Sequence, residues 1–295
     1  MSMIEISRLT KDYGGGRGVF DLSFTVEKGE VFGFLGPNGA GKTTTIRHLM
    51  GFLTPQSGCC RIDGLDCAGH ASEIQRNLGY IPGEIAFFDE MTGDGFIRFL
   101  ADYRGLQDLS RAQALKERFE LDSHGRLKKM SKGMKQKIGI VCAFMHDPAV
   151  LILDEPTSGL DPLMQNRFVE LIQEEKARGK TILMSSHMFE EVERTCDRVA
   201  ILKEGRLAAV DSVAALKKTR RRSYTVVFPT TEQAAAFAAE WDGVLTVGGR
   251  RVTAAVQDGL LPFLQALERH GAEDLDADRQ SLEDVFMQYY GGDRP

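Results

Sequence analysis

The clearest chemistry lies in one run of residues, Gly36-Pro37-Asn38-Gly39-Ala40-Gly41-Lys42-Thr43. It fits G-x-x-x-x-G-K-[ST], the pattern of a phosphate-binding loop. Glycines let backbone N–H groups converge on phosphate oxygens, and a helix N-terminus adds partial positive charge. In this pattern Lys42 reaches the β- and γ-phosphates, and the Thr43 hydroxyl sits on Mg²⁺. The flanks agree. Residues 30–35 read as a short buried strand, and residues 44–50, from Thr44, as the first turns of a helix stopped by Gly51. A plain glycine-rich turn is the alternative, and it does not demand this strand–loop–helix order.

A second group of chemical residues ends two later apolar runs. Residues 149–153 are continuously apolar and finish in Asp154-Glu155. Such a run is a central parallel strand, buried on both faces. Its C-terminal end is where α/β sheets place ligands. Asp154 is suited to hold Mg²⁺ through water, and Glu155 to act as the general base that activates a water. A structural ion pair is the competing reading. Residues 181–185 form the next buried strand, ending in Ser186-His187. A lone histidine is more often structural. This one ends a strand of the same sheet and can face the γ-phosphate.

Stepping outward, the chain has 295 residues, enough for one large and one small domain. The net charge of −5 argues against a general nucleic-acid binder. The five cysteines form no C-x-x-C pair, which argues for reduced thiols and against a zinc site. The N-terminus lacks a basic-then-apolar signal, and no uncharged apolar run approaches the ~20 residues of a membrane span.

The elements that position the motifs follow in order. Two strands, residues 4–13 and 19–26, meet at Gly14-Gly15-Gly16, the second with Phe20, Leu22, Phe24 and Val26 on one face. Tyr13 reads as a strand-end core residue or as an aromatic shelf for a base. Short strands at 60–62 and 78–81 follow. A helical stretch spans about 92–125, patterned by Phe96, Phe99, Leu100 and Tyr103. A further helix is expected over 135–146 and another over 163–177, with a hairpin around Glu204-Gly205. Near Leu216 the composition shifts to the basic run 217–222, read as a solvated linker or a contact for anionic headgroups. Beyond it the order βαββαβ predicts a ferredoxin-like arrangement, closed by a last helix over 282–290.

With these motifs in place, the chain resembles the ATP-binding subunits of ABC transporters. Residues 36–43 resemble Walker A, and residues 151–155 resemble Walker B with its glutamate. Ser131-Lys132-Gly133-Met134 stands where the family signature belongs, and Ser158-Gly159-Leu160-Asp161 resembles the D-loop. His187 matches the switch histidine and Tyr13 the base-stacking aromatic. The resemblance implies a fold: a P-loop NTPase (RecA-like) core over 1–216, with an antiparallel β subdomain and a helical insertion at about 84–135. An α+β accessory domain would occupy 217–295. It also implies ATP and Mg²⁺ as cofactors, and Ser131 and Gly133 as γ-phosphate contacts from a second ATP-binding subunit, in the simplest case an identical one. A separate transmembrane permease would hold the chain on the inner face of the membrane. The ABC-2 type exporter subunits are the nearest group, sharing a C-terminal stretch like residues 281–286.

Two departures stand out. Lys132 and Met134 replace a glycine and the glutamine of the signature. The Q-loop glutamine falls at Gly83, and the neighbouring Glu84 is a candidate to face the metal instead. Competing functions are a soluble ABC-type ATPase, which usually carries two cassettes in one chain, and a P-loop kinase. The order of signature, Walker B and D-loop speaks against the kinase.

Overall fold

The structure, a computed structural model, describes residues 2–218, 222–256 and 260–279. Strands β1 (Ser2–Asp12) and β2 (Gly18–Glu27) pair antiparallel and bury Ile4, Ile6, Leu9, Leu22, Phe24 and Val26. Phe20 leaves the expected face. Asp21 takes a positive φ of 54, which breaks the alternation, and Val19 goes into the core instead. The Phe20 ring lies under the Arg206 guanidinium at 5.3 Å.

Next come β3 (Val31–Leu35), α1 (Lys42–Leu49), β4 (Ser57–Ile62), β5 (Leu65–Asp66), α2 (Ala71–Arg76) and β6 (Leu78–Ile81). The segment that follows holds α3 (Gly93–Tyr103), α4 (Ser110–Arg118) and α5 (Lys132–Phe144). Then β7 (Val150–Asp154), α6 (Pro162–Ala177), β8 (Thr181–Ser186), α7 (Phe189–Thr195), β9 (Arg198–Lys203), β10 (Arg206–Ser212) and α8 (Val213–Lys218) follow. Short α2, α7, α8 and β5 are additions to the expected elements. Helix α5 starts three residues before the expected Lys135, because the Ser131 hydroxyl accepts from Met134 N–H and caps it.

Two sheets result. One is antiparallel, in the order β2-β1-β4-β5. The other has the order β10-β9-β3-β8-β7-β6, parallel except for the edge strand β10. Strands β3, β7 and β8 are buried along their whole length, as strands covered on both faces must be. The sheets share a core in which Phe24 stacks on Phe32, ring centres 5.2 Å apart. The helical stretch expected from Phe96, Phe99, Leu100 and Tyr103 includes α3, whose buried residues are Gly93, Ile97 and Ala101. Phe96 and Phe99 pack instead against Phe87 and Phe88 near the surface, where Phe88 and Phe99 are exposed.

By its contacts the chain divides into Met1–Val213 and Ala214–Pro295. The second unit contains β11 (Arg222–Val227), α9 (Thr231–Glu240), β12 (Val244–Gly248), β13 (Arg251–Val256), α10 (Leu260–His270) and β14 (Asp274–Arg279). Its strand order is β12-β13-β11-β14 with every neighbour antiparallel. That is the ferredoxin-like arrangement. Its core is Val226, Phe228, Phe237, Val252, Ala254 and Phe263. The expected helix over 282–290 and most of the basic run after Lys218 lie outside the described residues.

A core this separate predicts separate behaviour. Phe237 is fully buried in the second unit. Phe237→Ala is expected to destabilise that unit by ~3–5 kcal/mol while leaving ATP affinity unchanged. Calorimetry with parallel nucleotide titration checks this, and weakened ATP binding by a folded first unit would contradict it.

Candidate active site

The site is built at the C-terminal ends of β3, β7 and β8. Loop residues 36–41 leave β3 and open directly into α1. Gly41 has φ 108, and a Cβ there would meet Val19 Cγ1 at 2.6 Å. Only glycine fits. Pro37, Asn38 and Gly39 are exposed at the tip, while Gly36 and Ala40 are buried beneath it. Lys42 is buried at 5% exposure. Its Nζ donates to the carbonyls of Gly36 at 2.7 Å and Pro37 at 3.3 Å. The same ammonium lies 3.5 Å from Glu155 Oε1. Thr44 follows on the first turn, its carbonyl 2.8 Å from His48 Nδ1.

Asp154 is 1% exposed. A carboxylate buried this deeply needs hydrogen-bond donors. Thr43 Oγ1 donates to Oδ2 at 2.8 Å and Ser185 Oγ to Oδ1 at 2.5 Å. Register explains the second bond, since Asp154 pairs with Ser185 across β7 and β8. Ser185 also receives the Glu155 N–H, on its hydroxyl at 3.0 Å and its carbonyl at 3.2 Å. Glu155 takes a positive φ of 49, a conformation that costs a non-glycine residue energy and clusters at functional sites. It lies between Lys42 and His187, whose Nδ1 is 3.4 Å from Glu155 Oε2.

Thr43 and Asp154 offer a hydroxyl and a carboxylate, the hard oxygen ligands that Mg²⁺ takes alongside phosphate and water. The residues therefore fit that ion. Glu84 is exposed, and among the described residues no hydrogen bond or ion pair joins it to Thr43 or Asp154. Its neighbour Gly83 does border the acid: an added Cβ would meet Asp154 Oδ2 at 3.1 Å.

Ser131, Gly133 and Tyr13 stand apart from this group. No hydrogen bond or ion pair among the described residues links them to Lys42, Glu155 or His187. Tyr13 is 48% exposed at the end of β1, which fits a shelf and not a core residue. Gly133 packs so tightly that a Cβ would lie 2.6 Å from Gly159 O. Lys132 reaches across to Ser158, Nζ to Oγ at 2.8 Å. Gln136 of α5 donates to Pro156 O at 2.7 Å. The signature segment is thus fastened to the stretch just after Glu155.

Sequence reasoning missed Ser185, Gln136, the Lys132 bond and Glu191. Ser185 was signalled by its place opposite Asp154 at a strand end. Glu191 was signalled only by its spacing, four residues after His187. It is 5% exposed, and its Oε2 accepts from Ser186 Oγ at 2.6 Å. Its Oε1 has no well-aligned partner among the described residues, although the Thr157 hydroxyl is near enough to favour the ionised form. Burial dominates and, with a smaller contribution from the charge of Glu155, raises its pKa to about 7. The other titratable groups facing it are the Cys196 thiol, itself raised to about 12, and Glu190 and Arg194, which border the same cavity.

The sign of the resulting pH effect follows. An unfolded glutamate releases its proton near pH 4.5, the native Glu191 near 7. Between these values the native state holds more protons, so stability falls as pH rises through the window. At ~1.4 kcal/mol per unit the loss is at most on the order of 3 kcal/mol. Glu191→Gln removes the titration and is expected to flatten this part of the stability curve. Urea midpoints from pH 5 to pH 8 check it, and identical slopes in both proteins would contradict it.

Comparison with known proteins gives the family. Residues 19–158 match the ABC transporter family, ABC_tran. The ABC transporter ATP-binding protein NatA of Bacillus subtilis (strain 168) is 38% identical over 211 residues, covering 70% of this chain and 86% of that protein. The Nod factor export ATP-binding protein I of Paraburkholderia xenovorans is 39% identical over 72% of each chain. Among solved structures, the ATP binding subunit of an ABC transporter aligns with TM-score 0.68 at 35% identity, covering 74% of this chain and 92% of that one. A bacterial ABC transporter cassette solved as a dimer shares the fold, with TM-score 0.65 at 21% identity over 72% of this chain and 99% of that one. At 38% identity over 70% of its length to NatA, this chain is a member of the ABC transporter ATP-binding family.

Proposed function

We propose that this chain hydrolyses ATP to power an export-type ABC transporter. It would act in a head-to-tail pair of ATP-binding subunits beneath a separate membrane permease. The observation that carries the reading is Glu155, set between Lys42 and His187 at 3.5 and 3.4 Å. The roles follow from the chemistry. The loop N–H groups and Lys42 bind the phosphates, and Tyr13 supplies a face for the base. Glu155 takes a proton from the attacking water on a carboxylate oxygen. His187 orients Glu155 and faces the γ-phosphate. Mg²⁺, held by Thr43 and Asp154, would supply charge neutralisation at the phosphate oxygens. Glu84, next to the Gly83 that borders Asp154, would face Mg²⁺ or its water.

The pairing is supported by what the site lacks within one chain. Ser131 and Gly133 resemble γ-phosphate contacts yet lie apart from Lys42, as expected if they serve a second subunit's nucleotide. Support for a permease comes from the aromatic cluster of Phe87, Phe88, Phe96 and Phe99, which leaves Phe88 and Phe99 exposed. No described helix is long and apolar enough to cross a membrane, so transport needs a partner that does. Export is supported by the Nod factor relative. The chain would then sit on the inner face of the membrane, with no nucleic-acid partner.

Two measurements test this. General-base catalysis contributes ~10²–10⁴-fold, so Glu155→Gln should lower kcat by about that range and keep ATP binding. Wild-type turnover by Glu155→Gln would remove the assignment. The shared site is tested by mixing Lys42→Ala with Ser131→Arg chains. Each mixed pair regains one intact site, so activity should return on mixing. Dimers that form and stay inactive at every ratio would count against it.

A further inference from the structure

Glu191 is buried, charged by nature and unused by the roles above. Two segments converge on it. Ser186, directly before His187, donates its hydroxyl to Glu191 Oε2 at 2.6 Å and receives the Met188 N–H at 2.9 Å. That double contact bends the chain at His187. From the other side comes Thr157, two residues after Glu155, which is buried and borders the same cavity as Glu191. Glu191 itself is fixed by its own helix, where Thr195 Oγ1 donates to its carbonyl at 2.7 Å.

The packing around it makes these polar contacts matter. A cavity of about 160 Å³ lies beside Glu191, bordered by Thr157, Met188, Gln165 and Val169. The His187 turn and the segment after Glu155 are therefore not pressed together there by apolar side chains. The strand ends below are joined where Ser185 receives the Glu155 N–H, and at the level of His187 the turn is held by the Ser186 bond to the Glu191 carboxylate. His187 Nδ1 and Glu155 Oε2 meet 3.4 Å apart across these two segments.

We propose that Glu191 is a positioning residue for ATP hydrolysis, holding the His187 turn through Ser186 where that turn faces the segment after Glu155. It touches neither nucleotide nor water. The proposal rests on the reading of Glu155 and His187 as the hydrolytic pair. Reacting groups lose up to about 10²-fold in rate when displaced by about 1 Å, and that is the scale of effect at stake.

The test uses the full chain and steady-state ATP hydrolysis with Glu191→Ala, Glu191→Gln and Ser186→Ala. Each variant is first checked for fold by circular dichroism and for nucleotide binding. Glu191→Ala and Ser186→Ala should lower kcat by about tenfold or more with KM for ATP within about twofold. Glu191→Gln keeps an acceptor oxygen for Ser186 and should recover most of the rate. A merely structural glutamate would move kcat and KM together, or neither. Wild-type kcat in folded Ser186→Ala overturns the proposal, as does a Glu191→Gln no better than Glu191→Ala. Should Glu191→Ala fail to fold, Ser186→Ala against Glu191→Gln decides alone. Glu155→Gln, run beside them, separates the two ideas. If it is inactive while Ser186→Ala is fully active, positioning by Glu191 fails and the base assignment stands. If it is fully active while Ser186→Ala is slow, the base assignment fails instead.

Discussion

The site depends on one buried carboxylate. Asp154 sits at 1% exposure at the end of β7, where an unpaired charge would cost several kcal/mol. Its two oxygens are met from two directions, by Thr43 of α1 and Ser185 of β8. Those bonds require the strand order β3-β8-β7, because only that order brings the phosphate loop and Ser185 to the same acid. Glu155 then inherits its position. Its N–H is held by Ser185, and its positive φ turns the chain just past the strand end. The catalytic geometry proposed above is a consequence of how one acid is satisfied.

Seen this way, the uneven legibility of the sequence has a physical cause. Residues 36–43 and the acid pair were readable because their chemistry is local: glycine conformations, a helix start, an apolar strand ending in acids. The parallel strands were readable because burial on both faces leaves continuous apolar runs. Ser185, Gln136 and Glu191 were not, because their roles come from partners 30, 20 and 5 residues away and from register across strands. The positive φ values of Asp21 and Glu155 were not read either: aspartate takes left-handed backbone more often than most residues but usually does not, and glutamate seldom does. The first moved Phe20 off the core face. In α3 the spacing of Phe96, Phe99 and Tyr103 marked the helix, while two of these rings pack on Phe87 and Phe88 near the surface.

The second unit reads differently. Its βαββαβ order was recoverable from alternation and turn residues, and the antiparallel sheet with β11 and β13 at its centre follows from that order. Its helices cover one face through Phe237 and Phe263, packed on Phe228 and Tyr224. Nothing in that core approaches the oxygen donors of the first unit in kind. Its polar contacts, such as Thr225 with Thr253, are the cross-strand pairs that stabilise sheets.

The departures in the signature acquire a meaning from the same network. A glycine at position 132 would leave Ser158 without the ammonium that now reaches it at 2.8 Å. Gly133 already lies against Gly159 O so closely that no side chain fits between them. Gln136 adds a third tie, to Pro156 O. All three fasten the start of α5 to residues 156–159, the stretch that leaves Glu155. A nucleotide gripped by Ser131 and Gly133 of one subunit would therefore load the segment that sets Glu155 in that same subunit. In a head-to-tail pair that Glu155 serves the other nucleotide. Lys132 thus ties the start of α5 to the same short stretch that sets Glu155.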